Sequence, residues 1–252
     1  GHEYCLSNPV DVVDRILPEI KKRTPQEKQP AMPWVDLPAF YQMHLKKDEY
    51  DASRPMLTIL ILTGARSGDI RGMRWSEIDF HEKTWTIPAE RMKTPKPHRV
   101  PLSEQAIAAL LTQQEKSQMW SANSPLVFPS VRDQIEHSDM VLSMFMRRVK
   151  AKSSTLGRFA TTHGFRSSFR DWCSEHSYAS DLAERALSHS IRNKVEAAYH
   201  RTDLLEQRRP MMQAWADFVT GEPNKENDTP ISEIISDAIK NRKLLIQGIA
   251  KK

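Results

Sequence analysis

The 252-residue sequence predicts an α+β fold, mainly α-helical, with one small three-stranded antiparallel sheet. Two observations carry that expectation. Apolar residues recur at helical spacing along most of the chain, and β-branched and aromatic residues alternate with polar ones in three short runs between turn signals, at 77–80, 83–87 and 98–102. A hydrophobic content of 39% is enough for a globular body, and no internal repeat or low-complexity tract breaks the pattern. The 37 Lys and Arg against 32 Asp and Glu leave a net charge of +5, which favours an anionic partner without proving one. Two cysteines, Cys5 and Cys173, exclude a disulfide framework and suit a reducing cytoplasm. There is no run of 18 apolar residues and no charged-then-apolar leader, so neither membrane insertion nor secretion is expected.

In chain order, Gly1-His2 reads as a cloning scar, and residues 1–32 are proline-punctuated and charged, a linker holding at most one short helix at 10–17. Leu37, Phe40, Tyr41 and Leu45 recur at helical spacing, and 54–62 forms a more buried helix that Thr63-Gly64 ends. A short new helix follows with Arg66 in its first turn. A cation there opposes the helix dipole and needs an anion, either Asp69 or a bound phosphate. The loop at 88–97, between the second and third strands, is rich in lysine and proline and should project into solvent. Ser103 caps a helix running to about 116, Leu126-Val127-Phe128 follows a polar break, and a helix at 138–150 ends on Arg147-Arg148. A helix at 158–177 buries Phe165, Phe169 and Trp172. Short helices at 182–187 and 192–200 and a longer one at 204–219 come next, stopped by Gly221. A final amphipathic helix at 231–249 must dock on something. The domain reading is a linker at 1–32, a body at 33–220 and a tail at 221–252.

The chemistry concentrates between His163 and Tyr199. Residues three apart on a helix share a face, so His163 and Arg166 can address one phosphate, with Cβ atoms roughly 5–6 Å apart. The guanidinium forks nonbridging oxygens, imidazole donates or moves a proton near neutral pH, and the Tyr199 phenol can form a covalent intermediate. A second cationic clamp and a proton donor for the leaving oxygen would have to come from the basic residues upstream. Each residue has a plainer role to set beside these. Tyr199 suits a core position, Arg66 suits an ion pair with Asp69, His163 and His189 suit helix ends, and Lys93 suits a solvated charged loop. A zinc site from Cys173, His176, His189 and His200 lacks a second close pair of ligands.

Taken as an ordered series, Thr63-Gly64-Ala65-Arg66-Ser67-Gly68-Asp69, the Lys93 loop ending Arg99-Val100-Pro101-Leu102, His163-Gly164-Phe165-Arg166, His189 and Tyr199 resemble the tyrosine recombinase (phage integrase) family. The flanks Trp75-Ser76-Glu77-Ile78-Asp79, Trp85-Thr86-Ile87-Pro88-Ala89-Glu90-Arg91-Met92-Lys93 and Asn193-Lys194-Val195-Glu196-Ala197-Ala198-Tyr199 look like satellite-prophage and genomic-island integrases. The resemblance spans about 33–218 and implies the tyrosine recombinase catalytic-domain fold. It implies Tyr199 as nucleophile forming a 3′-phosphotyrosyl bond, Arg66 and Arg166 on the nonbridging oxygens, Lys93 as leaving-group acid, His163 and His189 assisting, and Asp69 in support. It further implies metal-independent integration or excision of a mobile element, with no cofactor and with double-stranded DNA attachment sites as substrate. The implied partners are other integrase protomers in a tetrameric synapse and a directionality factor or DNA-bending protein; no membrane is involved, and the setting is the bacterial cytoplasm, on the nucleoid. The readings set against this one are a type IB topoisomerase and a sequence-specific DNA-binding module with an idle active site. Because the match leaves out the family's upstream domains, weak DNA affinity is expected of this chain alone.

Overall fold

A computed structural model describes residues 29–47, 51–92, 96–120, 124–130, 135–189 and 202–221. Its helices are α1 (Leu37–Phe40), α2 (Ser53–Thr63), α3 (Ser67–Arg71), α4 (Glu104–Trp120), α5 (Met140–Arg148), α6 (Gly164–Glu175), α7 (Ser180–Ala186) and α8 (Leu205–Thr220). One sheet is ordered β1-β2-β3, from Ile78–Asp79, Thr84–Ile87 and His98–Pro101, with both pairings antiparallel. Among the described residues no helix is long and apolar enough to cross a membrane. The helices predicted at 192–200 and 231–249 lie outside the described residues.

Helix α2 is the axis of the body. Met56, Leu57, Ile59 and Leu60 are wholly buried, so the helix is apolar all round, which only a position enclosed by other elements tolerates. α3, α4, α5, α6 and α8 all pack on it. Thr63 donates its hydroxyl to the Ile59 carbonyl, and Gly64 follows at φ 63°, the left-handed conformation that ends many helices. The last carbonyls of a helix lack intrahelical partners. Here Ile61 O accepts the indole N–H of Trp215 at 2.8 Å, which ties α8 to the end of α2.

The sheet alternates as its period demands: Trp85, Ile87 and Val100 point inward, while Thr86 and Arg99 face out. Beneath β3 the fully buried Arg208 of α8 donates to Arg99 O at 2.8 Å, and Arg99 in turn forks Asp203 at 2.7 and 2.8 Å. A second cluster is aromatic. Trp172 of α6 stacks on His176 and Tyr178 and meets Trp215, and Phe218 bridges Trp215 to Trp34.

Several boundaries differ from the sequence reading. The segment from Leu37 onward is not one α-helix; a 3-10 turn at Trp34–Asp36 leads into α1 and then a π turn at Tyr41–Leu45. Arg66 stands just before α3 as its N-cap, in extended backbone, rather than in the first turn. Helix α4 begins as expected, with Ser103 accepting the Ala106 N–H, but runs to Trp120. Helix α6 starts only at Gly164, because residues 158–163 are occupied elsewhere: Ala160 N–H donates to Ala151 O and Thr161 N–H to Pro30 O. Residues 30–32 are bound to this region on three sides, through Pro30 O, Ala31 O and Met32 O, which accept from Thr161, Ser154 and Ser168.

Gly164 is where that backbone comes closest. A Cβ built there would sit 2.2 Å from Pro30 O and 2.8 Å from Ala31 Cα, so no side chain fits without moving main chain. Gly164→Ala should therefore destabilise the fold by about 1–3 kcal/mol despite alanine's better helix propensity, read as a lower urea midpoint with unchanged slope. An unchanged midpoint would show that residues 30–31 are not fixed against α6.

Candidate active site

The site is assembled where α7 ends. Three consecutive carbonyls, from its last residue onward, each accept from a basic side chain of a different element. Ala186 O accepts from His98 Nε2 of β3 at 3.3 Å, Leu187 O from Arg166 Nη2 of α6, and Ser188 O from Arg66 Nη2 at 3.2 Å. Ser188 sits at φ 51°, and this left-handed residue turns the chain so that His189 follows directly into the same recess. A helix C-terminus carries partial negative charge and unpaired carbonyls, so it suits cations.

Arg166 is the centre of the arrangement. It is 4% exposed and spans two helix ends, with Nη1 on Gly64 O behind α2 and Nη2 on Leu187 O behind α7. Nη2 also donates to His189 Nε2 at 3.0 Å, and Nε has no partner among the described residues. Burial first, and then the charge of Arg66, push Arg166 down to about 10, with Asp69 and Glu184 opposing. His163, the N-cap of α6, is held below the ordinary imidazole value by burial and then by Arg166, His189 and Arg66. His163, Arg166 and His189 line one pocket of about 490 Å³ together with Ser154, Ser167, Arg170 and Asp171. Burial is the larger cause of both shifts and neighbouring positive charge the second, so the recess holds basic groups whose charged forms an incoming anion would favour.

Two carboxylates hold the rim. Asp69 is buried and accepts the Arg66 backbone N–H at 3.2 Å, with the Arg66 guanidinium 3.8 Å away. Burial raises its pKa, against the pull of Arg66, Arg91 and Arg166. Glu184 is opposed by burial as well, yet the hydrogen bonds from Arg170 and His189 leave it below the usual carboxylate range.

Of the residues singled out in the sequence, the structure brings together Arg66, Asp69, His163, Arg166 and His189. Lys93 and Tyr199 lie outside the described residues, whereas Lys96 is described and exposed. The loop at 88–97 is less free at its root than its composition suggested. Arg91 pairs with the nearly buried Glu77 through both carboxylate oxygens and donates to Asp69 O at 2.6 Å. Trp85 Nε1 shares Glu77 at 3.0 Å. Residues that the sequence reading did not single out are Glu184, Arg170, His98 and the Arg91–Glu77 pair. Only Glu184 left a trace, a carboxylate five residues before His189 on a short helix.

A profile described as the phage integrase family matches residues 36–204. Prophage integrase IntA of Escherichia coli (strain K12) is 40% identical over 159 residues, covering 63% of this chain and 37% of its own length. The integrase of Enterobacteria phage P4 is 33% identical over 241 residues, covering 89% of this chain and 52% of its own. This chain therefore spans about half the length, or less, of the curated relatives it matches. Among solved structures, XerH site-specific recombinase bound to difH substrate superposes with a TM-score of 0.54 at 17% identity, over 71% of this chain and 52% of that one. The integrase from mycobacterium phage Brujita gives 0.54 at 16%, over 84% and 65%. At such identities the likeness is one of fold.

His98 provides a test of how the site is buried. Burial, then Arg208, drive its pKa from 6.5 to about 4. Between those values the unfolded ring binds a proton that the folded ring refuses, so the unfolded state gains as pH falls and stability rises with pH across the window. His98→Gln should flatten the fall in urea midpoint between pH 6.5 and 4 relative to the parent; parallel curves would mean the folded ring is solvated.

Proposed function

The chain belongs to the phage integrase family, and from that premise we propose that it is the strand-cleaving part of a site-specific DNA recombinase. The observation that carries the reading is the convergence of Arg66, His163, Arg166 and His189, the two arginines fixed to helix-end carbonyls and the two histidines placed with Arg166 on the wall of one pocket. Phosphoryl transfer needs in-line positioning and charge stabilisation above all, and preorganised guanidinium forks supply both. An Arg166 already desolvated loses little further hydration when it meets a phosphate oxygen.

In this mechanism Tyr199 Oη attacks the scissile phosphorus, and its proton passes to a basic group or to solvent. The bond to the 5′-oxygen breaks, that oxygen takes a proton from Lys93, and a 3′-phosphotyrosyl ester remains. Arg66 and Arg166 bear on the nonbridging oxygens, with His163 and His189 hydrogen bonding to the phosphate and relaying protons. Asp69 keeps Arg66 oriented by holding its backbone N–H. Attack by a 5′-hydroxyl from a second duplex reverses the step and exchanges strands, with no nucleotide consumed. A free phenol has a pKa near 10, so the surrounding cations would also favour the tyrosinate.

The substrate in this reading is a double-stranded attachment site. Further protomers, with a directionality or DNA-bending protein, would complete the synapse on the nucleoid of a bacterial cell. XerH was solved bound to its difH substrate, and a DNA complex fits the present pocket chemistry. Phosphate contacts should dominate affinity, so binding should weaken steeply with salt.

The test uses a nicked attachment-site duplex and denaturing electrophoresis. A covalent protein–DNA adduct should form with the parent and disappear with Tyr199→Phe. An adduct that persists in the mutant would falsify the assignment of the nucleophile, and relaxation of plasmids without site preference would point instead to a topoisomerase.

A further inference from the structure

We infer that Glu184 is a positioning residue that fixes the tautomer of His189, so that the neutral ring presents Nε2 to Arg166 and the ring that has taken a second proton presents Nε2–H to the phosphate; the inference rests on the strand-cleavage reading above.

The argument starts from what each neighbour can do. A guanidinium has donors only. Arg166 Nη2 lies 3.0 Å from His189 Nε2, so Nε2 must be the accepting nitrogen, and the proton of the neutral ring must sit on Nδ1. Glu184 Oε2 lies 2.6 Å from that Nδ1 and accepts it. The two contacts are independent, one from α6 and one from α7, and they require the same tautomer. The main chain adds a third link, since His189 N–H donates to Glu184 O at 2.9 Å.

Glu184 is itself immobilised. Its other oxygen accepts Arg170 Nε at 2.8 Å, and the two remaining nitrogens of Arg170 are each 2.7 Å from a hydroxyl, Nη1 from Ser174 and Nη2 from Ser180. A chain therefore runs from two serines through Arg170 and Glu184 to His189 and Arg166. In the protein without DNA, His189 Nε2 is occupied by Arg166. A phosphate oxygen is an acceptor and cannot replace that donor unless the ring takes a second proton on Nε2. Glu184 is placed to balance the charge of the ring in that state, as a carboxylate behind an imidazole generally is. Without the carboxylate the ring is free to carry its proton on Nε2, turning a donor toward Arg166 and breaking the contact.

The experiment has two parts that fail separately. First, the histidine nitrogens are followed by 15N-labelled NMR of the chain, at a pH where the His189 ring is neutral. The unmutated protein should show the Nδ1–H form at His189, and Glu184→Gln should lose it: the amide oxygen goes to Arg170, which has donors only, and the amide NH2, a donor, then takes the place of the oxygen facing Nδ1. A wild-type ring protonated on Nε2, or a glutamine variant with the wild-type tautomer, overturns the proposal whatever the DNA assay shows. Second, single-turnover cleavage of the nicked attachment-site duplex is measured against protein concentration. Glu184→Gln should slow the cleavage step by about 10- to 100-fold while the half-saturating concentration changes little. Loss confined to half-saturation overturns a positioning role, as does a parent-like rate. If the glutamine variant unfolds, Glu184→Asp replaces it. With one methylene less it cannot bridge both partners, and it should show the same division between rate and saturation. A parent that forms no adduct at all counts against strand cleavage, while the tautomer result still decides the positioning of the ring.

Discussion

Three neighbouring carbonyls, on Ala186, Leu187 and Ser188, determine how this molecule is put together around its pocket. They are the orphan acceptors that every helix leaves at its C-terminal end, and in most helices water or a glycine turn satisfies them. Here they draw in side chains from β3, from α6 and from the loop ahead of α3. Arg166 extends the pattern to the end of α2, where Gly64 O offers the same kind of acceptor. Two helix ends, both negative by their dipoles, thus face one guanidinium, and the hydrogen bonds lock α2, α6 and α7 in a single relative arrangement.

This explains how so many positive groups can coexist without a bound anion. Burial is the first cause of the depressed values of Arg166, His163 and His98, and neighbouring arginines add to that cost. Carbonyls and dipoles offset it in part, yet they are neutral groups and cannot cancel the charge. Asp69 and Glu184 stand behind Arg66 and His189 rather than across the pocket from them. On the pocket wall Arg166 and Arg170 outnumber Asp171, so the field inside the recess stays positive, and in the proposed mechanism the stabilisation that the fold withholds is available to a phosphate. A site built this way is complementary to negative charge that arrives or develops in it.

How much of this the sequence disclosed depends on the range of the interaction. Helix α2 was legible because its apolar character is continuous, and the three strands were legible from their alternation and their turns. Arg66, His163, Arg166 and His189 stood out because their spacing forms an ordered series. The start of α6 was not legible, since the backbone that displaces it comes from Pro30, over a hundred residues earlier in the chain. His98 and Arg91 gave no signal either. A histidine in a short strand and an arginine in a lysine-rich loop look solvated until α7 and Glu77 are placed against them. Glu184 left only its spacing from His189, because its role depends on which nitrogen of His189 faces Arg166, and that is a property of the assembled pocket.

The Arg91–Glu77 pair shows why the same logic extends to the loop after β2. Glu77 closes a 3-10 turn by accepting the Arg74 N–H, receives Trp85 from the core, and presents both oxygens to Arg91. Arg91 then reaches Asp69 O, on the helix whose N-cap is Arg66. Lys93 follows Arg91 by two residues in the sequence and lies outside the described residues. The segment that leads to it is bound at its root to the element that carries Arg66, and substituting Arg91 would release that root from α3.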